Sequence, residues 1–295
     1  MRFGYVGIGL MGLPMTRRLI ETGHEVRVFD IDPVQMGRAR EAGAGLATSP
    51  ADACSGADAV LLNLPTDEAV ELAVTGPDGV TNALRPPQRL VDFSTVSVEQ
   101  GARMARTVFD QCGCIWIDAP VSGGPPASAA GRLTVMAGGP EADIAALAPL
   151  WGAVAARLTR MGDSGAGLAA KMINQLIVGC GNAVLAEAHA LAAAAGIDAA
   201  RLPECLAGGH ADSELLRQIY PRMAERDFAP RGYARQLLKD LEAVSRYAGS
   251  LKTPTPMMAQ AQSLFRLLIL KGYAELDTSA IVRVYDKNPP KEETR

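Results

Sequence analysis

The sequence predicts an α/β domain with a mainly parallel, doubly wound sheet, followed by an all-α C-terminal domain. In the first half, short β-like apolar runs alternate with helical patterns, which favours βαβ units. Residues 162–167 then form a turn rich in glycine, and no convincing strand pattern follows it. A chain of 295 residues with 48% hydrophobic and 21% charged residues can bury the cores of two such domains.

The elements of the first domain follow in order along the chain. Residues 2–8 predict a strand, residues 11–22 a helix and residues 25–30 a second strand. Later apolar runs predict further strands at residues 57–64, 89–93, 114–119, 133–137 and 157–161. Polar, helix-compatible segments separate most of these runs, which indicates parallel strands joined by helical crossovers. Such crossovers should be right-handed.

The second domain is predicted from helical patterns alone. An alanine-rich helix spans about residues 168–195 and ends at Gly196, which is typical of a helix C-terminus. Residues 213–226, 233–248 and 256–271 predict further helices. We therefore expect a first domain over residues 1–164, an all-helical domain over 165–286, and a frayed tail over 287–295.

Bulk properties exclude several classes of protein. The formal net charge of −3, without a basic stripe, argues against a nucleic-acid or membrane partner. Five scattered cysteines without a C-x-x-C pair indicate a reducing, cytoplasmic compartment, and the three histidines lack metal-ligand spacing. The apolar stretch at residues 176–197 is interrupted by Asn182, Glu187 and His189, so we predict a buried helix and no membrane span.

The first strand leads into a glycine motif, G-x-G-x-x-G, that opens the first helix. Asp30 ends the next predicted strand, close to the spacing of about 20 residues at which an acid binds a ribose hydroxyl. This context favours a Rossmann-type dinucleotide site over a glycine-rich turn without a ligand. Besides Asp30, the predicted cofactor-binding residues are Gly7, Ile8, Gly9, Leu10, Met11 and Gly12.

Asp30 also bears on the choice of cofactor. A carboxylate accepts hydrogen bonds from the ribose 2′-hydroxyl and repels a 2′-phosphate, so NAD is favoured. NADP stays possible, because Arg38 could reach a phosphate. Asp32 is the residue expected to cap the following helix.

Four ordered blocks of the sequence resemble the β-hydroxyacid dehydrogenase family. They are residues 4–15 (GYVGIGLMGLPM), 118–124 (DAPVSGG), 165–175 with Lys171, and the Lys239-Asp240-Leu241 element. The resemblance spans about residues 1–286. It implies a Rossmann domain joined by a long helix to a helical domain that assembles a homodimer or homotetramer. It also implies oxidation of a hydroxy acid without a metal.

The resemblance assigns roles to particular residues. Lys171 is the expected proton-transfer group. Asn174 and Gln175 lie on the same helix face at i+3 and i+4, a pattern that a solvent-exposed face would also show. The carboxylate-binding loop is expected at Ser122, Gly123 and Gly124. Further cofactor contacts are expected at Leu64, Pro65, Thr95 and Lys239, the last of which could also lower the pKa of Lys171 by its charge.

Two positions depart from the family pattern. Gln175 stands where the family often has Asn, although the tartronate semialdehyde reductase branch also tends to have Gln. Gly232 occupies a position that is usually aromatic, and it is followed by Tyr233, with Arg231 and Arg235 nearby. These residues change the predicted wall of the substrate pocket, so the identity of the substrate stays undecided. An arginine there would favour a substrate with a second carboxylate or a larger polar acid.

The sequence therefore predicts an NAD-linked oxidoreductase of a small β-hydroxy acid, with NADP as a possible cofactor. Two alternatives remain. One is an imine reductase-like enzyme on the same fold, which Lys171 disfavours because such relatives usually replace it. The other is a non-catalytic dinucleotide-binding sensor, which would need only the glycine motif.

Overall fold

The computed structural model describes residues Met1–Asp286, and the predicted frayed tail at 287–295 lies outside the described residues. The chain forms two compact units, Met1–Lys171 and Met172–Arg295. The boundary between them falls inside one long helix, Ala166–Ala194.

The first unit is built on a sheet of nine strands, most of them parallel. The strands are β1 (Arg2–Val6), β2 (Glu25–Phe29), β3 (Gly45–Leu46), β4 (Ala59–Leu62), β5 (Arg89–Asp92), β6 (Ile115–Asp118), β7 (Val121–Ser122), β8 (Leu133–Gly138) and β9 (Ala155–Gly162). The order is β3-β2-β1-β4-β5-β6-β8-β7, and β9 pairs with β8. Pairing is parallel from β3 to β6, and β8 is antiparallel to both β6 and β7.

Helices cover both faces of this sheet. They are α1 (Gly12–Glu21), α2 (Pro33–Glu41), α3 (Pro50–Ala53), α4 (Asp67–Thr75), α5 (Val98–Cys112), α6 (Gly124–Ala129), α7 (Glu141–Ala146) and α8 (Ala148–Val154), with a 3₁₀ turn at Val80–Asn82. The core against α1 and α8 contains Tyr5, Leu61 and Val91. The core against α4 and α5 contains Val60 and Leu90. Because the strands are buried on both faces, they are near-continuous apolar runs, and this made them predictable.

The second unit is helical. It contains the rest of α9 (Ala166–Ala194), then α10 (Leu202–Leu206), α11 (Glu214–Glu225), α12 (Ala234–Ser250) and α13 (Pro256–Leu270), with 3₁₀ segments at Ala199–Arg201 and Thr278–Tyr285. Between Met172 and Asp286 the only β pairing is an isolated bridge between Tyr233 and Asp277. The predicted fold class, an α/β Rossmann domain followed by an all-α domain, is confirmed.

The prediction that the apolar stretch at residues 176–197 forms a buried helix is wrong for the single chain. Among described residues, α9 is the one helix long and apolar enough to cross a membrane, and only 28% of its most apolar window is buried. Ile173, Ile177, Val184 and Leu191 are each more than half exposed. Apolar composition indicates a surface that must be covered, but it does not indicate which surface covers it.

Candidate active site

The glycine motif forms the turn between β1 and α1. Gly7 has a φ of +86°, and a Cβ there would lie 2.4 Å from the backbone oxygen of Asn63. A Cβ at Gly12 would lie 2.3 Å from the Gly7 oxygen, whereas a Cβ at Gly9 would meet nothing within 4 Å. Gly7 and Gly12 therefore allow the close packing of the turn, and Gly9 leaves open the side from which a pyrophosphate would approach.

The turn lies where the strand order reverses, between β1 and β4, which is where ligands bind in open α/β sheets. No side chain caps the N-terminus of α1 among the described residues. The first amides of that helix are therefore suited to bind an anion.

Asp30 is braced against this turn at the end of β2. Its carboxylate accepts the N–H of Ile8 at 2.7 Å through Oδ2 and the N–H of Asp32 at 2.9 Å through Oδ1. Asp32 in turn caps α2 by accepting the N–H of Val34 at 2.8 Å. The two acids thus have different partners: Asp32 caps α2, and Asp30 is held beside the glycine motif.

The ends of β4 and β5 carry Leu64, Pro65 and Thr95. The Leu64 N–H donates to Ser94 Oγ at 2.8 Å, and the Ser94 N–H donates to Asp92 Oδ1 at 2.9 Å. Asp92 and Ser94, to which the sequence pattern assigned no role, therefore hold together the two strand ends expected to line the cofactor cleft.

The predicted carboxylate-binding loop follows β7. Gly123 and Gly124 have φ angles of +126° and +67°, conformations that side chains rarely adopt. The loop leads into α6, whose buried Ser128 donates through Oγ to the Met11 oxygen at 3.0 Å. This bond ties the helix that follows Ser122 to the glycine motif, so the two predicted binding loops are neighbours within the first unit.

Lys171 lies at the same loop. Its Nζ donates to the Val121 oxygen at 2.8 Å, and only 7% of the residue is exposed. Val121 immediately precedes Ser122, so the amino group of Lys171 is held beside the predicted carboxylate-binding loop. A buried lysine at a loop of this kind is an arrangement found at functional sites.

Asp118 holds the start of the helix that carries Lys171. Its carboxylate accepts the N–H of Gly165 at 2.7 Å and the N–H of Leu168 at 2.9 Å. Burial raises the pKa of Asp118 to about 6, and backbone hydrogen bonds from Gly165 and Leu168 oppose that rise. Asp118 stands inside the DAPVSGG block, but the block alone does not reveal that its carboxylate caps a helix.

In the second unit, Asp240 orients the side-chain amides of Gln175 and Asn174. Gln175 Nε2 donates to Asp240 Oδ2 at 2.6 Å, Asn174 Nδ2 donates to Gln175 Oε1 at 2.8 Å, and Lys239 Nζ lies 3.1 Å from Asp240 Oδ1. Because a carboxylate only accepts hydrogen bonds, Gln175 must turn its NH₂ group towards Asp240. Asn174 consequently offers its carbonyl oxygen on its other side.

The segment before α12 is engaged in contacts of its own. Arg235 Nε lies 2.7 Å from Glu275 Oε1, and its guanidinium stacks on the Tyr233 ring at 4.7 Å. The Gly232 N–H donates to the buried Asp277 at 3.1 Å, and a Cβ at Gly232 would meet nothing within 4 Å. Arg235 already has a carboxylate partner, which weakens the expectation that it binds a second substrate carboxylate.

The first unit thus brings together the glycine motif, Asp30, the ends of β4 and β5, the loop of Ser122, and Lys171. The second unit brings together Asn174, Gln175 and Lys239 around Asp240. A fold with these elements defines an NAD(P)-binding oxidoreductase, because a glycine-rich strand–helix turn, an acid at the end of the next strand and a buried lysine occur together on a Rossmann-type domain.

Comparison with known proteins agrees with this class. The NAD-binding domain of 6-phosphogluconate dehydrogenase matches residues 2–162. The NAD-binding region of NADP-dependent 3-hydroxyisobutyrate dehydrogenase matches residues 165–285. The predicted NAD cofactor is confirmed as NAD(P), since both family models describe nicotinamide dinucleotide binding.

Named relatives match over nearly the whole chain. The 2-hydroxy-3-oxopropionate reductase of Escherichia coli K12 is 32% identical, over 97% of this chain and 97% of the relative. The NAD-dependent L-serine dehydrogenase of Pseudomonas aeruginosa is 33% identical, over 97% and 98%. A crystal structure of 3-hydroxyisobutyrate dehydrogenase from Salmonella typhimurium has a TM-score of 0.88 at 30% identity, over 96% and 99%.

The chain belongs to the β-hydroxyacid dehydrogenase family, as its sequence blocks predicted. An imine reductase from Pseudomonas sp. is also similar, with a TM-score of 0.56 and 19% identity, and this likeness shows the fold alone.

Proposed function

We propose that this enzyme transfers a hydride between NAD and a small β-hydroxy acid such as 3-hydroxyisobutyrate, or reduces the corresponding semialdehyde in reverse. The observation that carries the proposal is the placement of Lys171. Its buried Nζ is hydrogen-bonded at 2.8 Å to the residue before the Ser122-Gly123-Gly124 loop. A proton-transfer group beside a carboxylate-binding loop is what a hydroxy-acid dehydrogenase requires.

Bound NAD supplies the hydride acceptor. In the oxidising direction, the neutral amine of Lys171 takes the proton of the substrate hydroxyl. In the reducing direction, its ammonium form returns a proton to the carbonyl oxygen. The hydrogen bond to the Val121 oxygen fixes the direction of Nζ in both protonation states, because an amine and an ammonium can each donate to a carbonyl.

The loop at Ser122 binds the carboxylate of the acid. Its glycines leave the backbone unobstructed, and the Ser122 hydroxyl adds a donor. Asn174, whose amide is oriented through Gln175 and Asp240, offers a carbonyl oxygen that can accept a hydrogen bond from a donor group of the substrate. Within the first unit, the Ser122 loop orients the acid, and Lys171 takes up its hydroxyl proton.

We propose NAD as the preferred cofactor because Asp30 is fixed by two backbone amides. A carboxylate held in this way cannot easily turn away from an approaching 2′-phosphate, so NADP binding would bring two negative charges together. Gly7, Ile8, Gly9, Leu10, Met11 and Gly12 would cradle the pyrophosphate. Leu64, Pro65, Thr95 and Lys239 would contact the remainder of the cofactor.

We propose that two copies of the chain cover the exposed side of α9 in a homodimer or homotetramer. Ile173, Ile177, Val184 and Leu191 are separated by four or seven residues, so they form one apolar stripe. Glutamate at both Ile173 and Ile177 should dissociate the assembly in light scattering after size exclusion, whereas Leu72→Glu on α4, at a similarly exposed position, should not. A wild-type monomer would contradict this proposal.

We also place the enzyme in the cytoplasm. Its five cysteines are all free, and unpaired thiols are typical of a reducing compartment.

The test is absorbance of the reduced nicotinamide with a panel of small hydroxy acids, using NAD and NADP in parallel. The panel contains 3-hydroxyisobutyrate, 3-hydroxypropionate, serine, glycerate and threonate. Turnover that is lost in Lys171→Ala, with cofactor binding intact, supports the proposal. Full turnover by Lys171→Ala would refute the role of Lys171. Turnover of cyclic imines instead of acids would favour the imine reductase alternative, and cofactor binding without any turnover would favour the sensor.

A further inference from the structure

The segment that follows β6 is joined to α9 at two points. At the last residue of β6, the Asp118 carboxylate accepts the N–H of Gly165, which immediately precedes α9, at 2.7 Å and the N–H of Leu168 in its first turn at 2.9 Å. Three residues later, the Val121 oxygen accepts Lys171 Nζ at 2.8 Å. Helix and segment are therefore clamped together, and the same segment continues directly into Ser122.

The space around the Asp118 carboxylate is available only because two neighbours lack a side chain. A Cβ at Gly138 would lie 2.6 Å from both carboxylate oxygens. A Cβ at Gly167 would lie 2.8 Å from Oδ2 and 2.4 Å from the Met136 oxygen. Real Cβ atoms do not approach other atoms so closely, so β8 and the first turn of α9 enclose the carboxylate tightly.

From this clamp we propose that Asp118 is a positioning residue that sets the place of Lys171 relative to the Ser122-Gly123-Gly124 loop. The proposal rests on the proposed function insofar as Lys171 is the proton-transfer group. Asp118 fixes both the axial position and the rotation of the first turn of α9, because it binds the amide of Gly165 just before the helix and the amide of Leu168 within the turn. Lys171 lies one helical turn beyond Leu168, so a shift of the turn moves Nζ by a similar amount.

The charge of Asp118 matters as well as its shape. Both carboxylate oxygens accept a helix amide, and the N-terminus of a helix favours a negative charge. In Asp118→Asn one of the two acceptors becomes an NH₂ group that faces a backbone N–H. The clamp then loses one hydrogen bond and gains a donor–donor contact, while the volume of the side chain is unchanged.

The first experiment compares Asp118→Asn with Asp52→Asn. Asp52 is a matched control, since its carboxylate also accepts a backbone amide, that of Thr48 at 2.8 Å, and pairs with Arg27 at 2.7 Å. We expect Asp118→Asn to lower kcat on the order of 10- to 100-fold, because small misplacements of reacting groups have effects of this size. NADH affinity should be unchanged. Asp52→Asn should lower stability and leave kcat unchanged.

A second pair of variants keeps the charge and changes only the fit. Gly167→Ala pushes a methyl group against the Asp118 carboxylate, and Gly152→Ala places one where nothing lies within 4 Å. Gly167→Ala should lower kcat, as Asp118→Asn does, and Gly152→Ala should not. This pair remains informative if Asp118→Asn fails to fold.

Two further readouts do not need turnover. Amide hydrogen exchange at Gly165 and Leu168 should accelerate in Asp118→Asn and not in Asp52→Asn. Acylation of Lys171, followed by mass spectrometry, should also accelerate, because Lys171 is only 7% exposed when clamped. If no acid is turned over but both rates rise, the proposed function fails and the positioning role stands. If Asp118→Asn folds with kcat, exchange and acylation all as in the wild type, the positioning role is refuted.

Discussion

The buried carboxyl group of Asp92 makes the stability of the first unit depend on pH near neutrality. Asp92 is fully buried at the end of β5. Burial raises its pKa from 3.8 to about 7, against hydrogen bonds from Ser94 that lower it, and the charges of Asp118 and Asp67 raise it further. The folded state therefore binds this proton more tightly than the unfolded state. The stabilising contribution is fully present below pH 3.8 and is lost as the pH rises through about 7.

Asp92→Asn removes this titration and keeps the acceptor for the Ser94 N–H. A shift of about three pKa units corresponds to roughly 4 kcal/mol in total. Between about pH 5 and pH 8 the linkage relation gives a change of roughly 2.5 kcal/mol in the free energy of unfolding of the wild type relative to the variant. The new amide nitrogen replaces Oδ2, which has no hydrogen-bond partner among the described residues. This replacement adds a cost of about 1–3 kcal/mol that does not depend on pH.

Urea unfolding followed by tryptophan fluorescence isolates the unit concerned, because Trp116 and Trp151 are the only tryptophans and both lie in the first unit. Wild type and Asp92→Asn are measured at several pH values from about 5 to 8. The variant should gain stability relative to the wild type as the pH rises, and the difference should level off above about pH 8. A difference that stays constant over this range would refute the assignment of the proton to Asp92.

Three other variants probe the binding groups. Asp30→Asn should raise the ratio of kcat/KM for NADP to that for NAD by roughly tenfold, because the repulsion of the 2′-phosphate is removed. In Gly123→Ala the new methyl group would lie 2.6 Å from the Ala127 Cβ at a positive φ. It should destabilise the first unit by about 1–3 kcal/mol and raise KM for the acid. Asp240→Asn should let the Gln175 amide rotate and lower kcat about tenfold, whereas the control Glu242→Gln, which removes an exposed ion pair to Arg266 on the same helix, should leave kcat unchanged.

The central strands could be predicted because burial on both faces makes them continuous apolar runs, as in β4 and β5. Two short strands escaped prediction. In β3 and β7 only two residues each are paired, at Gly45–Leu46 and Val121–Ser122. Pairs this short depend on neighbouring strands for their conformation, so their own residues carry no periodic pattern.

For the site, helical spacing predicted that Lys171 and Gln175 share a face, since side chains at i and i+4 are neighbours. It could not predict their partners, because Val121 and Asp240 lie far away in sequence and are brought near only by the tertiary fold. The catalytic and binding roles assigned to the site residues stay predictions. The prediction that α9 is buried was wrong for a related reason, since the sequence pattern indicates an apolar face without indicating what covers it.

Asp92 and Asp118 are neighbours across the sheet, in register on the parallel strands β5 and β6. Two carboxylates this close in a buried site disfavour ionisation of each other, and the proton is held by the one with fewer hydrogen bonds to its charged form. Asp118 accepts backbone amides of Gly165, Gly167 and Leu168, whereas both hydrogen bonds to Asp92 come from Ser94, one from its backbone and one from its side chain. Asp92 is therefore the group that carries the proton near neutral pH. A neutral Asp92 spares Asp118 a repulsion, and Asp118 can then keep the negative charge that holds the first turn of α9.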